Sequence, residues 1–227
     1  RFKVDGTIAL QSFIDIPAHT TIDGVGRSIH ITGVRESHLL RVSGARGAYN
    51  VIVRNLSFRR GVSGDEQDAC NLCKIDIVVN QGSRQILIEN NSFQYCINKC
   101  IAIQGGIQEV TVSYNKFLNS YYAILVGLSD SMDRPQARFD GRIQVTIHHN
   151  LFSGIRRRQP RANRSLFVHL FNNLHDGWGN DSSADFAVGS TTGAQVLIEN
   201  DIFIAPSLIK TAVVYTWPGS GISDGLI

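Results

Sequence analysis

One phrase recurs through this 227-residue chain, and it restricts the fold more than any other feature. It reads NVIVRNLSF at 50–58, QILIENNSF at 85–93, EVTVSYNKF at 109–117, QVTIHHNLF at 144–152 and QVLIENDIF at 195–203. A degenerate copy, FVHLFNNLH, occupies 167–175. Each copy is an alternating run, then a polar pair, then one residue and usually Phe. Alternation of period two marks a strand with one buried face. The closing positions Phe58, Phe93, Phe117, Phe152, His175 and Phe203 fall 35, 24, 35, 23 and 28 residues apart. An uneven period of this size points to stacked coils joined by loops of variable length. A β-propeller needs about four strands in every ~40 residues, with turn signals throughout. A parallel β-helix needs only two or three short strands per coil and fits better.

The polar pair sharpens this reading. Its second member runs Leu56, Asn91, Asn115, Asn150, Asn173 and Asp201. In a stacked coil these side chains lie about 4.8 Å apart, close enough for amides to bond along the stack as a ladder. A preference of Asn for turns explains one such residue, but not four in register. The closing phenylalanines form a second, interior column. The expectation is an all-β chain: a single-stranded parallel β-helix with an asparagine ladder, one domain over 1–227, lacking terminal capping segments.

Composition supports a globular chain, at 43% hydrophobic and 18% charged residues. The balance of 22 basic to 19 acidic residues gives a net charge of +3. That argues against a nucleic-acid partner, which needs a strongly basic face, and suits an acidic soluble one. No run of 18 apolar residues is present, so no membrane span is expected. The opening RFKVDGTIAL lacks the charged-then-apolar layout of a signal peptide. Both ends read as incomplete, and the chain is expected to be a monomer.

Positive charge is concentrated in SGIRRRQPRANR, 153–164, where Arg156, Arg157, Arg158, Arg161 and Arg164 surround Pro160. Such a segment is a solvated turn, a phosphate strip, or part of a site for an acidic substrate. Cys70 and Cys73 form a C-x2-C pair, and Cys96 and Cys100 a C-x3-C pair. These spacings fit a zinc site or two disulfides in an oxidising compartment, and disulfides are preferred. The repeat register sets Asp76 beside Cys100, with Cys73 and Cys96 near the same two coils. Disulfides between coils are geometrically reasonable, with the pairing left open.

Several stretches then resemble, in order, the pectate lyase and pectin lyase family of secreted β-helix enzymes, which implies that the single-stranded parallel β-helix is right-handed. They are VDGTIAL (4–10), TIDGVGRSIHITG (21–33), NVIVRNLSF (50–58), VGLSD (126–130), VTIHHNLF with RRRQPR (145–161) and VHLFNNLHDGW (168–178). The resemblance implies cleavage of an acidic polygalacturonate by β-elimination, with a base taking the proton at C5 and the glycosidic oxygen leaving C4. The family base is the first Arg of its R-x-P motif, which matches Arg158. Arginine normally keeps its proton, so the role requires desolvation and nearby cations. Arg157, Arg161 and Arg164 are candidates to supply them. Arg161 or Arg164 would clamp a substrate carboxylate. The family's second Arg of the motif falls on Asn163, with Arg164 one residue later.

The calcium side of the resemblance is altered. In CKIDIVV (73–79), alternation puts Ile75, Ile77 and Val79 inside. Lys74 and Asp76 then lie outside, roughly 7 Å apart. Asp76 matches a calcium-binding aspartate, while Lys74, Asn98 and Ala102 fall where the family has further acids. Calcium takes about six to eight oxygen ligands, and one carboxylate beside an ammonium serves it poorly. Calcium-independent action is therefore expected, with Lys74, together with Lys99, replacing the ion's charge. The plainer reading is a surface ion pair worth under about 1 kcal/mol. A family Lys that holds a substrate carboxylate is Tyr122 here, expected to stack on a sugar ring.

His148 and His149 have no partner constellation nearby and read as structural, as does His169. Trp178 fits a core or a sugar platform equally. The expected function is a secreted polyuronate lyase. The alternative is a non-catalytic carbohydrate-binding β-helix of the same ancestry. A hydrolase, which needs paired carboxylates, ranks below both.

Overall fold

The computed structural model describes residues 1–33, 38–60, 75–127, 141–179, 186–205 and 212–217. Each copy of the phrase turns out to be two strands meeting at a corner. In the first, Tyr49–Arg54 ends at Asn55 and Ser57–Arg59 begins two residues on. The first residue of the polar pair makes the corner. Asn55, Asn90, Tyr114, His149, Asn172 and Asn200 all have φ between 53° and 58°, the left-handed region in which asparagine is enriched. Two strands and a corner per copy, with a third strand between copies, give three parallel sheets of eight, eight and seven strands. The described elements form the parallel β-helix that the spacing predicts, right-handed as the resemblance implies. A short 3-10 turn at Gly44–Arg46 is the helical element among the described residues.

The second residue of each pair points inward. Asn91, Asn115, Asn150 and Asn173 are buried, and each amide donates to the next side chain: Asn91 to Asn115, Asn115 to Asn150, at 3.1 Å each, and Asn150 to Asn173 at 3.0 Å. Their oxygens accept backbone N–H groups from the coil before, from Leu56 through Asn150. The column ends at Asp201, whose carboxylate accepts from Asn173 at 3.0 Å. Two residues on, Phe58, Phe93, Phe117, Phe152, His175 and Phe203 stack with centroids 4.3–5.1 Å apart. Inside the coil, polar atoms thus have partners and rings have neighbours at each step, as a buried interior requires.

One sheet matters for function. It is made in order of Ile14–Asp15, Leu40–Ser43, Ile75–Asn80, Lys99–Gln104, Ile124–Val126, Arg161–Asn163, Phe186–Thr191 and Ala212–Trp217. Ile77, Val79, Ile101, Ile103, Ile124 and Val126 fill the main core. The intervening positions line up across the outer face as Asp15, Arg41, Val78, Ala102, Leu125, Arg161, Gly189 and Tyr215. The expected inward position of Ile75 is corrected here. It packs with Val78 and Ala102 in a small cluster outside the main core.

Candidate active site

The site is assembled where this sheet meets the one that contains Lys116–Tyr122 and Leu151–Arg157, by residues from three successive coils. Arg158 sits between Leu151–Arg157 and Arg161–Asn163 in the left-handed region, at φ 64°. Its carbonyl accepts the Ile124 N–H at 2.9 Å, which ties it to the preceding coil. Its guanidinium lies over the Tyr122 ring, 3.8 Å from the centroid. The next peptide, Gln159–Pro160, is cis. Arg156 and Arg157 both approach the Tyr121 ring, at 4.7 and 5.5 Å.

Tyr122 is 4% exposed. The sugar-stacking role expected for it gives way to a platform under Arg158, through a cation–π contact. Arg161 lies on the outer row beside Leu125 and Gly189. Arg164, at φ 50°, falls in the turn that leaves this sheet, its N–H donating to Thr191. Lys74, Cys70 and Cys73 lie outside the described residues. Cys96 and Cys100 are joined within one coil, with Cα atoms 5.2 Å apart. Disulfides between coils, expected from the register, do not involve these two. A C-x3-C spacing at a strand entrance lets the chain close on itself.

Lys99 is the cation at the centre. It is 1% exposed, bonds the Asn98 side-chain oxygen and lies 5.8 Å from the Tyr122 centroid. Burial first, then the positive charges of Arg158 and Arg161, push its ammonium down to about 7. His38 Nδ1 is buried without a hydrogen-bond partner. Burial and the charges of Arg60, Arg41 and Lys99 drive its imidazole down to about 4. Neither His38 nor Arg60 carries a sequence signal, since each belongs to the site only through its neighbours on other coils.

Asp76 corrects the expectation of an outward, solvated carboxylate. It is fully buried, 3.8 Å from Arg60 Nη1, and neither oxygen has a hydrogen bond. Burial raises its pKa to about 7, against the opposing Arg60 charge. The outer face is covered at this point, which alternation alone does not reveal. A carboxyl raised this way favours folding below the usual carboxylate range, and the benefit is lost as pH climbs through about 7. Asp76→Asn should therefore raise the melting temperature by several degrees more at pH 8 than at pH 4. Equal shifts at the two pH values would show that Asp76 is not held protonated.

The remaining candidates are structural. Trp178 is 2% exposed and meets Phe203 edge-on at 6.2 Å, so it belongs to the core. His148 stacks on Phe171 at 4.7 Å and His149 on Tyr114 at 4.8 Å. His169 bonds Glu199 at 2.6 Å.

The pectate lyase family model matches residues 3–225 of this chain. A pectate lyase of Bacillus subtilis (strain 168) is 26% identical over 235 residues, covering 91% of this chain and 52% of that protein. Pectate lyase E of Dickeya chrysanthemi is 30% identical over 220 residues, covering 87% and 54%. The chain thus spans about half the length of these curated relatives. Among solved structures, jun a 1, the major allergen from cedar pollen, superposes with a TM-score of 0.76 at 24% identity. That match covers 93% of this chain and 61% of the other. A pectate lyase bound to hexasaccharide gives 0.61 at 22% identity, covering 89% and 55%.

Proposed function

The chain belongs to the pectate lyase family, and from that premise we propose that it cleaves a polyuronate by β-elimination with Arg158 as the base. The observation that carries this reading is the Arg158 guanidinium over the Tyr122 ring, with Lys99 5.8 Å from the same ring and within reach of the charges of Arg158 and Arg161. Clustered cations on a low-dielectric surface attract a polyanion and stabilise charge that develops at a uronate carboxylate. Arg161 suits the carboxylate by its planar fork. Arg158, once it has given its proton to water, would take the C5 proton; the C5–H electrons form the C4–C5 double bond as the C4–O bond breaks, and the leaving oxygen takes a proton from water. The same ancestry fits a carbohydrate-binding protein without turnover, which the buried Asp76 favours.

The family implies calcium, and the donor set on this face does not suit it. Among the described residues of Ile75–Asn80, Lys99–Gln104 and Ile124–Val126, Asp76 is the acidic side chain. It is buried beside Arg60 and pushed toward its protonated form. The Asn98 oxygen is engaged by Lys99. A hard divalent ion needs several anionic oxygens together. We infer that Lys99, with Lys74 beside this strand in sequence, supplies the positive charge. EDTA should then leave the rate of unsaturated-product formation within about twofold of its value in buffer. A loss that calcium alone restores would overturn this part of the reading.

The disulfide between Cys96 and Cys100 supports an extracellular place of action, where such bonds persist. The testing experiment follows absorbance of a 4,5-unsaturated uronate on polygalacturonate and on methylated pectin. Product from either supports the lyase. Binding to both without product supports the non-catalytic alternative.

A further inference from the structure

The repeat has a default, Asn followed two residues later by Phe, at 91 and 93, 115 and 117, and 150 and 152. The first copy departs from it with Leu56, and the last two copies depart from it in succession. His175 stands where Phe is usual, and Asp201 stands where Asn is usual. The two departures touch, with His175 Nε2 3.1 Å from Asp201 Oδ2 and both side chains wholly buried.

Neither departure is needed by its column. Asp201 Oδ1 accepts the Asn173 N–H at 2.7 Å and its amide at 3.0 Å, contacts that an asparagine oxygen would also make, while Oδ2 accepts the same amide at a longer 3.3 Å. The His175 ring stacks at 5.0 Å on Phe152 and 4.3 Å on Phe203, as a phenylalanine would. What the pair adds is a third contact. His175 Nδ1 lies 3.0 Å from Oε1 of Gln159, the residue after Arg158.

The orientation of Gln159 is set by its own amide. Nε2 donates to Ile155 O at 2.8 Å and to Gly177 O at 3.2 Å. A flipped amide would press its oxygen against two carbonyls. Both nitrogens of His175 therefore face oxygen acceptors. A neutral imidazole has one N–H and satisfies one of them. The contacts require one proton more than a neutral imidazole beside a carboxylate. Burial pushes the His175 imidazole down and the Asp201 contact pushes it up, with burial the larger, yet with both ring nitrogens against oxygens the further proton is held in the His175–Asp201 contact and belongs to the pair. The Asp201 carboxyl lies against Nε2 of the ring. Phe152 and Phe203 cover its faces and Gln159 its remaining edge.

We propose that His175 and Asp201 form a buried, proton-sharing link that positions the Arg158 turn through Gln159. This rests on the reading of Arg158 as the reacting residue. The link anchors the turn to the end of the amide column. Gln159 N–H donates to Ala187 O at 2.7 Å, Pro160 O accepts from Gly189 at 2.9 Å, and the Gln159 side chain bridges Ile155 and Gly177. The guanidinium of Arg158 is one residue from this anchor. His175 is thus a positioning residue and touches no substrate.

The double variant His175→Phe with Asp201→Asn restores the repeat's default at both sites, so the columns continue while Gln159 loses its link. On polygalacturonate, kcat should fall roughly 10–100-fold, with KM within about threefold. Amide exchange at Gln159 and Gly189 should accelerate, and the melting temperature should fall by a few degrees because the buried Gln159 Oε1 loses its partner. In the unsubstituted protein at pH 7, nitrogen-15 NMR should show His175 Nδ1 protonated, with a second, far-downfield proton between Nε2 and Oδ2. A ring with a single N–H beside ionised Asp201 overturns the proposal. So does unchanged exchange in the double variant, or an effect confined to KM. If no polyuronate yields product, the lyase reading fails while the NMR and exchange results still decide the link. If the double variant does not fold, the ring protons of the unsubstituted protein decide it alone.

Discussion

Arg158→Lys is expected to lower the rate of unsaturated-uronate formation by about 10²–10⁴-fold, the range that a positioned proton-transfer group supplies. The substitution keeps a positive charge, so attraction of the polyanion persists and KM should move by no more than a few-fold. What it removes is shape. The guanidinium lies over the Tyr122 ring, 3.8 Å from its centroid, and a lysine is a point charge on a flexible stem that cannot reproduce its planar fork. The backbone conformation, at φ 64°, is as accessible to lysine as to arginine, so the fold should be retained. Steady-state kinetics beside circular dichroism checks both halves. Turnover within about threefold of the starting protein would remove Arg158 from the role of base.

The second large effect concerns stability. Asn115→Ala should lower it by about 3–4 kcal/mol, because a buried polar group that loses its partner costs about 1–3 kcal/mol. Asn115 is 1% exposed. Its oxygen accepts the Asn91 N–H at 3.0 Å, and its amide serves Ile88 O at 2.9 Å and Asn150 at 3.1 Å. Alanine leaves the Asn91 N–H without this acceptor in a dry interior. For a chain of this size the change corresponds to a melting temperature roughly 10 °C lower. Asn172→Gly is the contrast. That residue is exposed, at a corner with φ 55°, where glycine is at ease, and its effect should stay within about 0.5 kcal/mol. Similar losses at the two positions would show that the buried column is not what holds the coils together.

The parts of this fold that sequence shows most directly are those governed by strict period. Strand alternation and the recurrence of Phe93, Phe117 and Phe152 two residues after Asn91, Asn115 and Asn150 fix neighbours across coils. Stacking follows, because parallel strands in register place equal positions side by side. The site is less legible, since its contacts join residues far apart in the chain. Arg158 is identified by resemblance, but its seat on Tyr122 depends on how two neighbouring coils are offset. For Asp76, alternation gives the face and says nothing of whether that face is covered. The expectation of an outward ion pair fails there. Cys96 and Cys100 pair within a coil because the strand entrance bends, a local feature that register does not report. His175 was visible as a degenerate copy of the repeat. The overlooked signal was that two consecutive departures, His175 and Asp201, occupy positions that stacking brings together.

The central claim is that this chain breaks a polyuronate by elimination. Mass spectrometry of fragments released from polygalacturonate tests it most directly, because elimination leaves one end a water lighter than hydrolysis does. Fragments with an unsaturated non-reducing end, formed in the presence of EDTA and absent with Arg158→Lys, are the predicted result. Intact polymer, or fragments that all carry the added water, would contradict it.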